Sequence, residues 1–312
     1  MHPSGAFHRD GKDGGRKDGP RPVYLRGRMK LADNRVLSVV DEYRTQLAAR
    51  YPEEEVRAIL RSVFQERMGW DAAQLVVKRF ESMSESELLK VYLPLKRLVA
   101  GEPLQYVLGE VHFHGLRLQV DKRVLIPRPE TEEMVDRIVR SGIVPSRIAD
   151  IGTGSGCIAL ALKNSFPRAD VVATDSDQGA LVVAMTNGKR TGIQVQWELG
   201  DALNDGFPQG SFDLIVSNPP YVPVGLTDSL AAEVLDHEPH LALFVPDDEP
   251  LCFFRAIGTW AFGSLRSGGA LWFETHHDQA LPVLEVLISF GFAKAEVLLD
   301  LSGKERFVHA VR

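Results

Sequence analysis

Three short stretches contain the residues best equipped for chemistry. "ADIGTGSG" (Ala149–Gly156) places Gly152, Gly154 and Gly156 between an apolar run and a helical one. Glycine lets such a turn approach a ligand closely, and the helix beyond offers unpaired N–H groups. No Gly-Lys-Ser/Thr follows, so this is not a triphosphate-binding loop, and the third glycine comes one residue early for the dinucleotide pattern. A different nucleoside ligand is favoured. Asp175 closes "VVATD" at about the βαβ spacing from Gly152, where a carboxylate accepts two hydrogen bonds from ribose hydroxyls. Asp201, in "LGDAL", is placed to reach an adenine amino group, or else caps the turn that follows. Asp150 orients the loop or lies near the ligand's charged end, and Cys157 packs the helix. The third stretch, "SNPPY", ends the apolar run "FDLIV" with the amide of Asn218, the rigid Pro219 and Pro220, and the ring of Tyr221. Alone it would serve as a turn. At the carboxyl end of a strand in an open α/β sheet it falls where ligands bind.

The elements that must position these residues follow from pattern. After Pro127, the strand-like runs "RIADI", "DVVATD", "VQWEL", "FDLIVSN" and "GALWFE" alternate with helical stretches, which predicts a parallel sheet covered on both faces. "KAEVLLD" and "RFVHAVR" are joined by the short "LSGKE", so one strand near the C-terminus should be antiparallel. "VHFHGLRLQVDKRVLIP" alternates around turn signals and reads as a β-hairpin. Residues 36 to about 101 are helical in period, with Ser84 and Glu87 as a capping box and Pro94 expected to kink or split the last helix. Residues 1–30 carry eight Lys+Arg and three Asp, too little apolar content to order a tail; such a basic extension could touch the ribosome.

Composition sets outer bounds. Hydrophobic content of 44% and charged content of 25% suit a globular chain of 312 residues. A net charge of −6 gives no overall attraction to nucleic acid. Two cysteines argue against a disulfide framework and for a reducing, cytoplasmic setting. No apolar run approaches about 18 residues, so a membrane span is not expected, and no apolar signal core points to secretion.

"DIGTGSG", "VVATD" and "SNPPY", in that order, resemble the class I methyltransferases that use S-adenosylmethionine (AdoMet). The resemblance implies an α/β fold, with a mostly parallel seven-strand sheet and one antiparallel strand. It also implies that Asp150, Ile151, Gly152, Thr153, Gly154, Asp175, Asp201, Ala202 and Asn218 bind the cofactor, with no metal. The Asn-Pro-Pro-Tyr motif narrows the group to enzymes that methylate planar nitrogens. Such a nitrogen is a poor nucleophile because its lone pair is delocalised, as the ~18–20 kcal/mol rotation barrier of an amide indicates. The Asn218 oxygen and the Pro219 carbonyl would accept its two N–H groups, with Pro220 stiffening the corner and Tyr221 shielding it. Acceptors of this kind strengthen as the nitrogen becomes positive, favouring the transition state.

"AGEPLQYVLGEVHFHGLRLQVDKRVLIPRPETEEMVD" and the terminal "DLSGKERFV" are similar to the HemK/PrmC family, the release factor glutamine methyltransferases. The likeness runs from about residue 35 to the C-terminus. It implies a helical substrate-recognition domain over residues 31–108, a hairpin linker over 109–126 and a catalytic domain over 127–312. The implied substrate is the Gly-Gly-Gln glutamine of peptide chain release factors. Asn218, Pro219, Pro220 and Tyr221 would be both catalytic and substrate-binding, and Phe113 would help wall the glutamine pocket or else pack the hairpin on the core. "RPETE" would begin a helix beside AdoMet, and "EPHLALF" would form a flap. Rival readings are an N5-glutamine methyltransferase of a ribosomal protein, a DNA adenine methyltransferase, and a nonenzymatic AdoMet-binding module. The second lacks a basic face for flipping a base. Intact Asn218, Pro219 and Tyr221 oppose the third.

Overall fold

The computed structural model describes residues 23–25, 29–31 and 33–312. The chain divides between Val99 and Ala100 into two compact units. Most of the expected basic tail lies outside the described residues. Its last part does not match the expected disorder: Val23–Leu25 (β1) pairs antiparallel with Met29–Leu31 (β2), and Leu31 is buried. Apolar and β-prone residues return there, where a disordered end was expected.

The first unit contains the helices Val36–Leu47 (α1), Glu53–Met68 (α2), Ala72–Val77 (α3) and Glu85–Val99 (α4). Each of the longer helices buries one stripe; in α2 it is Val56, Ile59, Leu60, Val63 and Phe64. Ser84 and Glu87 form the expected box, with Glu87 Oε2 accepting from Ser84 N at 2.8 Å and Ser84 Oγ from Glu87 N at 3.3 Å. Pro94 does not split α4, which runs through it unbroken. Leu88, Val91, Leu95 and Leu98 bury around it, and that packing outweighs one lost backbone bond.

The second unit contains Leu104–Leu108 (α5), which the family resemblance had grouped with the helices before it. Tyr106 of α5 instead packs with Val120, Val124 and Ile126 beyond the hairpin, and its hydroxyl donates to the Val124 carbonyl at 2.5 Å. The hairpin is Glu110–Phe113 (β3) with Leu116–Gln119 (β4). His114 and Gly115 both adopt positive φ at its tip, as a two-residue turn of this hand requires. Then come Pro129–Arg140 (α6), Arg147–Ile151 (β5), Cys157–Ser165 (α7), Asp170–Asp175 (β6), Gln178–Thr191 (α8) and Gln196–Leu199 (β7). Phe212–Ser217 (β8), Val222–Pro223 (β9), Ala232–His237 (α9), Phe244–Val245 (β10) and Cys252–Ser264 (α10) follow, and the chain closes with Leu265–Glu274 (β11), Ala280–Ser289 (α11), Lys294–Leu299 (β12) and Glu305–Val311 (β13).

Seven strands form one sheet in the order β12-β13-β11-β8-β5-β6-β7. Only β13 runs against its neighbours, pairing antiparallel with both β11 and β12. Successive residues enter opposite layers. Leu214, Val216 and Trp272 pack with α6, α7 and the hairpin, while Ile215, Leu271 and Phe273 pack with α10 and α11. Strand order reverses between β5 and β8, which pair in parallel with Ile151 opposite Ser217. Loops leaving these two strands must diverge, and the crevice between them is where such sheets take ligands.

Candidate active site

The turn after β5 is built from backbone geometry. Gly152, Gly154 and Gly156 have φ of 74°, 55° and 81°, values that disfavour any side chain. The N–H groups of Gly152 and Thr153 both donate to the Thr174 carbonyl at 2.9 Å, and that of Gly154 donates to Asp175 Oδ2 at 2.8 Å. The end of β6 therefore holds the turn. Asp175 Oδ1 accepts from Asp177 N at 2.9 Å, and burial pushes the Asp175 carboxyl up. At the end of β8, Ser217 Oγ donates to the Ile151 carbonyl at 2.6 Å and ties the two diverging loops together.

A cleft with about 1020 Å³ of space open to solvent lies over this crevice. Its wall brings together Ile151, Gly152, Thr153, Gly154, Asp175, Asp201, Ala202, Asn218, Pro219 and Pro220, all expected from the sequence. Three expected residues do not reach it. Asp150 is fully buried one residue deeper, where Oδ2 accepts from Thr153 Oγ1 at 2.6 Å and Ala159 N at 3.1 Å. It braces the turn, the first of its two expected places. Tyr221 packs its ring against the layer of α10 and α11, and its carbonyl accepts from Gln279 Nε2 at 2.9 Å. Phe113 is 2% exposed and belongs to the core with Leu118 and Ile158; the hairpin's alternation turns it inward. Asp201 takes both of its expected places. It borders the cleft, and it caps a short turn by accepting from Leu203 N at 2.9 Å and Asn204 Nδ2 at 2.7 Å.

Several residues that shape the cleft escaped the sequence reading. Glu238, 4% exposed, accepts from Arg128 Nη2 at 2.6 Å and Ile126 N at 3.1 Å. It clamps the flap to the segment before α6, and Pro239, Leu241 and Ala242 line the cleft together with Leu125, Pro127 and Arg128. In "RPETEE", Glu132 accepts from His114 N at 3.0 Å at the hairpin tip, and Glu133 from Leu301 N at 2.9 Å. These acids tie loops to α6. Thr131 reaches the cleft wall and donates to Glu274 Oε2 at 2.6 Å. Glu274 ends β11 on the same sheet edge as Asn218 and Asp175, and strand-end position is the signal that could have flagged it.

Two predictions arise here. Gly200 and Gly206 hold the loop that carries Asp201, and a Cβ at Gly200 would lie 2.1 Å from the Gly206 carbonyl oxygen. Gly200→Ala should cost about 1–3 kcal/mol in denaturant unfolding. A stability equal to the parent's would mean that the loop yields freely. The second concerns pH. Burial pushes the carboxyls of Asp150 and Glu274 up to about 7. The folded protein thus holds protons that the unfolded chain has already lost, so stability falls as pH rises from the ordinary carboxylate range through about 7. His276, lowered by burial, works the other way below its ordinary value. Calorimetry of the ligand-free protein should give a lower Tm at about pH 8 than at about pH 6.5. An equal or higher Tm at the upper pH would mean that both carboxyls are ionised in place.

Comparison with known proteins follows the same lines. A model described as the PrmC N-terminal domain matches residues 38–109, and one described as the methyltransferase small domain matches residues 131–240. A protein of Bacteroides thetaiotaomicron named release factor glutamine methyltransferase is 38% identical over 89% of this chain and 100% of its own length. Proteins of the same name are 34% identical in Flavobacterium psychrophilum, over 86% of this chain and 98% of their own, and 36% in Chlorobaculum tepidum, over 88% and 98%. Among solved structures, a methyltransferase from Pyrococcus furiosus aligns with a TM-score of 0.47 at 19% identity, over 63% of this chain and 89% of its own.

Proposed function

Because the chain belongs to the release factor glutamine methyltransferases, we infer that it methylates the side-chain amide N5 of the glutamine in the Gly-Gly-Gln loop of a peptide chain release factor, with AdoMet as donor. The observation that carries this reading is the meeting of the glycine turn, Asp175 and the Asn218-Pro219-Pro220 corner in one cleft at the switch point of the sheet.

The donor set suits AdoMet. Gly152 and Gly154 present backbone alone, with nothing within 4 Å of where a Cβ would stand. Asp175 keeps carboxylate lone pairs beyond those given to Gly154 and Asp177, enough for a ribose diol. Asp201 and Ala202 border the place of the base, with Ile151, Phe253 and Ile257 as apolar wall. AdoMet, when bound, supplies a methyl group made electrophilic by a sulfonium.

The chain's own residues hold the acceptor amide. Asn218 accepts one N–H through its side-chain oxygen, and the Pro219 carbonyl accepts the other without freedom to rotate away. Both gain strength as positive charge grows on the nitrogen. Pro220 fixes the corner, and Tyr221 anchors it from the core side through its carbonyl. No strong base is required, since the proton is acidic once the nitrogen carries the methyl. The helical unit supplies recognition of the folded release factor, and the reaction takes place in the cytoplasm. Among the described residues no helix is long and apolar enough to cross a membrane.

Incubation with AdoMet and a release factor, followed by peptide mass spectrometry, tests this. The Gly-Gly-Gln peptide should gain one methylene. A methylene found only on a ribosomal protein or on DNA would overturn the assignment.

A further inference from the structure

We propose that Thr131 and Glu274 are positioning residues that fix which way the Asn218 side-chain amide faces. The inference rests on the methyl-transfer reading above. Thr131 Oγ1 donates to Glu274 Oε2 at 2.6 Å, and Asn218 Nδ2 donates to Thr131 Oγ1 at 3.3 Å. The three residues come from the first turn of α6, the end of β11 and the loop after β8. Thr131 and Glu274 are 3% and 2% exposed, so water does not replace their bond.

The direction of this chain carries the argument. Above about pH 7 the Glu274 carboxylate only accepts, so there the single hydroxyl proton of Thr131 is committed to it. What Thr131 Oγ1 offers Asn218 is then a lone pair. Only the amide nitrogen can use it, so Asn218 Oδ1 is turned away from Thr131. An asparagine held by nothing would rotate between two nearly equivalent amide orientations, and the reversed one would present a donor where the substrate's N–H needs an acceptor. Burial raises the Glu274 carboxyl to about 7, while the Thr131 hydroxyl and Arg306 favour its ionised form, so the selection operates above that pH. Glu274 thus selects the working orientation without touching either substrate.

The test uses the full-length protein, saturating AdoMet and a release factor in single turnover at about pH 8, where Glu274 is ionised. Thr131→Val keeps the side-chain volume and removes the hydroxyl. It should lower the transfer rate about tenfold, with the Kd for AdoMet unchanged. Thr131→Ser should restore the rate. In an Asn218→Ala background Thr131→Val should cost nothing further, because the group it orients is gone. A general packing role would instead give losses that multiply and would not be rescued by Ser. Should Thr131→Val fail to fold, Glu274→Gln keeps the volume, lets the amide at 274 donate, and should also slow transfer. Wild-type rate in these variants, or a loss that multiplies with Asn218→Ala, overturns the proposal. NMR of the Asn218 side-chain NH2, assigned by its disappearance in Asn218→Ala, gives a reading independent of activity. Its proton exchange should accelerate in Thr131→Val. Acceleration in a protein that methylates no release factor would sink the functional reading and leave the positioning standing; unchanged exchange would sink the positioning.

Discussion

Asn218→Ala should lower single-turnover methyl transfer about 10²–10³-fold, the usual cost of removing one preorganised partner of developing charge. AdoMet affinity should stay within a few-fold of wild type. Asn218 is half-buried at a strand end, and truncation removes one 3.3 Å bond to Thr131 and few core contacts. The fold should therefore survive. Asn218→Asp is the sharper variant. It keeps size and an acceptor oxygen but offers Thr131 no donor. It also adds a carboxylate near Glu274, which is itself held by the same hydroxyl. If acceptance from the substrate were all that mattered, Asp would outperform Ala. Since the amide nitrogen is also engaged, Asp should be as slow as Ala. Near wild-type transfer by the Ala variant would reduce the corner to a turn and remove the main physical support for the glutamine reading.

Asp175→Ala should weaken AdoMet binding by about 1.5–3 kcal/mol, the range for hydrogen bonds to a charged acceptor. Two effects act together. The ribose loses its carboxylate, and the Gly154 N–H loses the partner that shapes the glycine turn at 2.8 Å. The ligand-free fold should suffer less, because burial already disfavours the charged carboxyl and truncation relieves that cost. Calorimetric titration against thermal melting separates the two. Unchanged affinity in a folded variant would place the ribose elsewhere.

The pattern of strands was legible because both sheet faces are covered, so β5, β6 and β8 read as short continuous apolar runs ending in polar residues. The antiparallel strand near the C-terminus followed from the short link between the last two runs. Residues at the first position beyond a strand, such as Gly152 and Asn218, were legible for the same reason. Farther from those positions, on either side, expectation and structure part. Asp150 lies one step back along β5 and points beneath the turn, whereas Tyr221 lies past two prolines that swing its ring to the other layer. Of the two places expected for Phe113 the structure gives core packing, a choice that a hairpin's pattern alone does not make. Thr131 and Glu274 meet across 143 residues of sequence, and Glu238 meets Ile126 across 112. Pairings of that length are set by topology, and no local spacing announces them.

The way the flap is fastened has a consequence for how this chain can diversify. β9 and β10 pair in parallel, Val222 with Phe244 and Pro223 with Val245, and so pin both ends of the intervening loop. Glu238 pins it a second time, six residues before β10. Residues 224–237 run between these fixings, tied once more where Gly225 N donates to Asp247 Oδ1, and none of the described side chains among them lines the cleft. Lengthening a loop whose ends are already held costs little, about 0.6 kcal/mol per doubling. Insertions and sequence drift can therefore accumulate in this span, and new surface chemistry can be grafted onto it, while the cofactor cleft a few residues away keeps its shape.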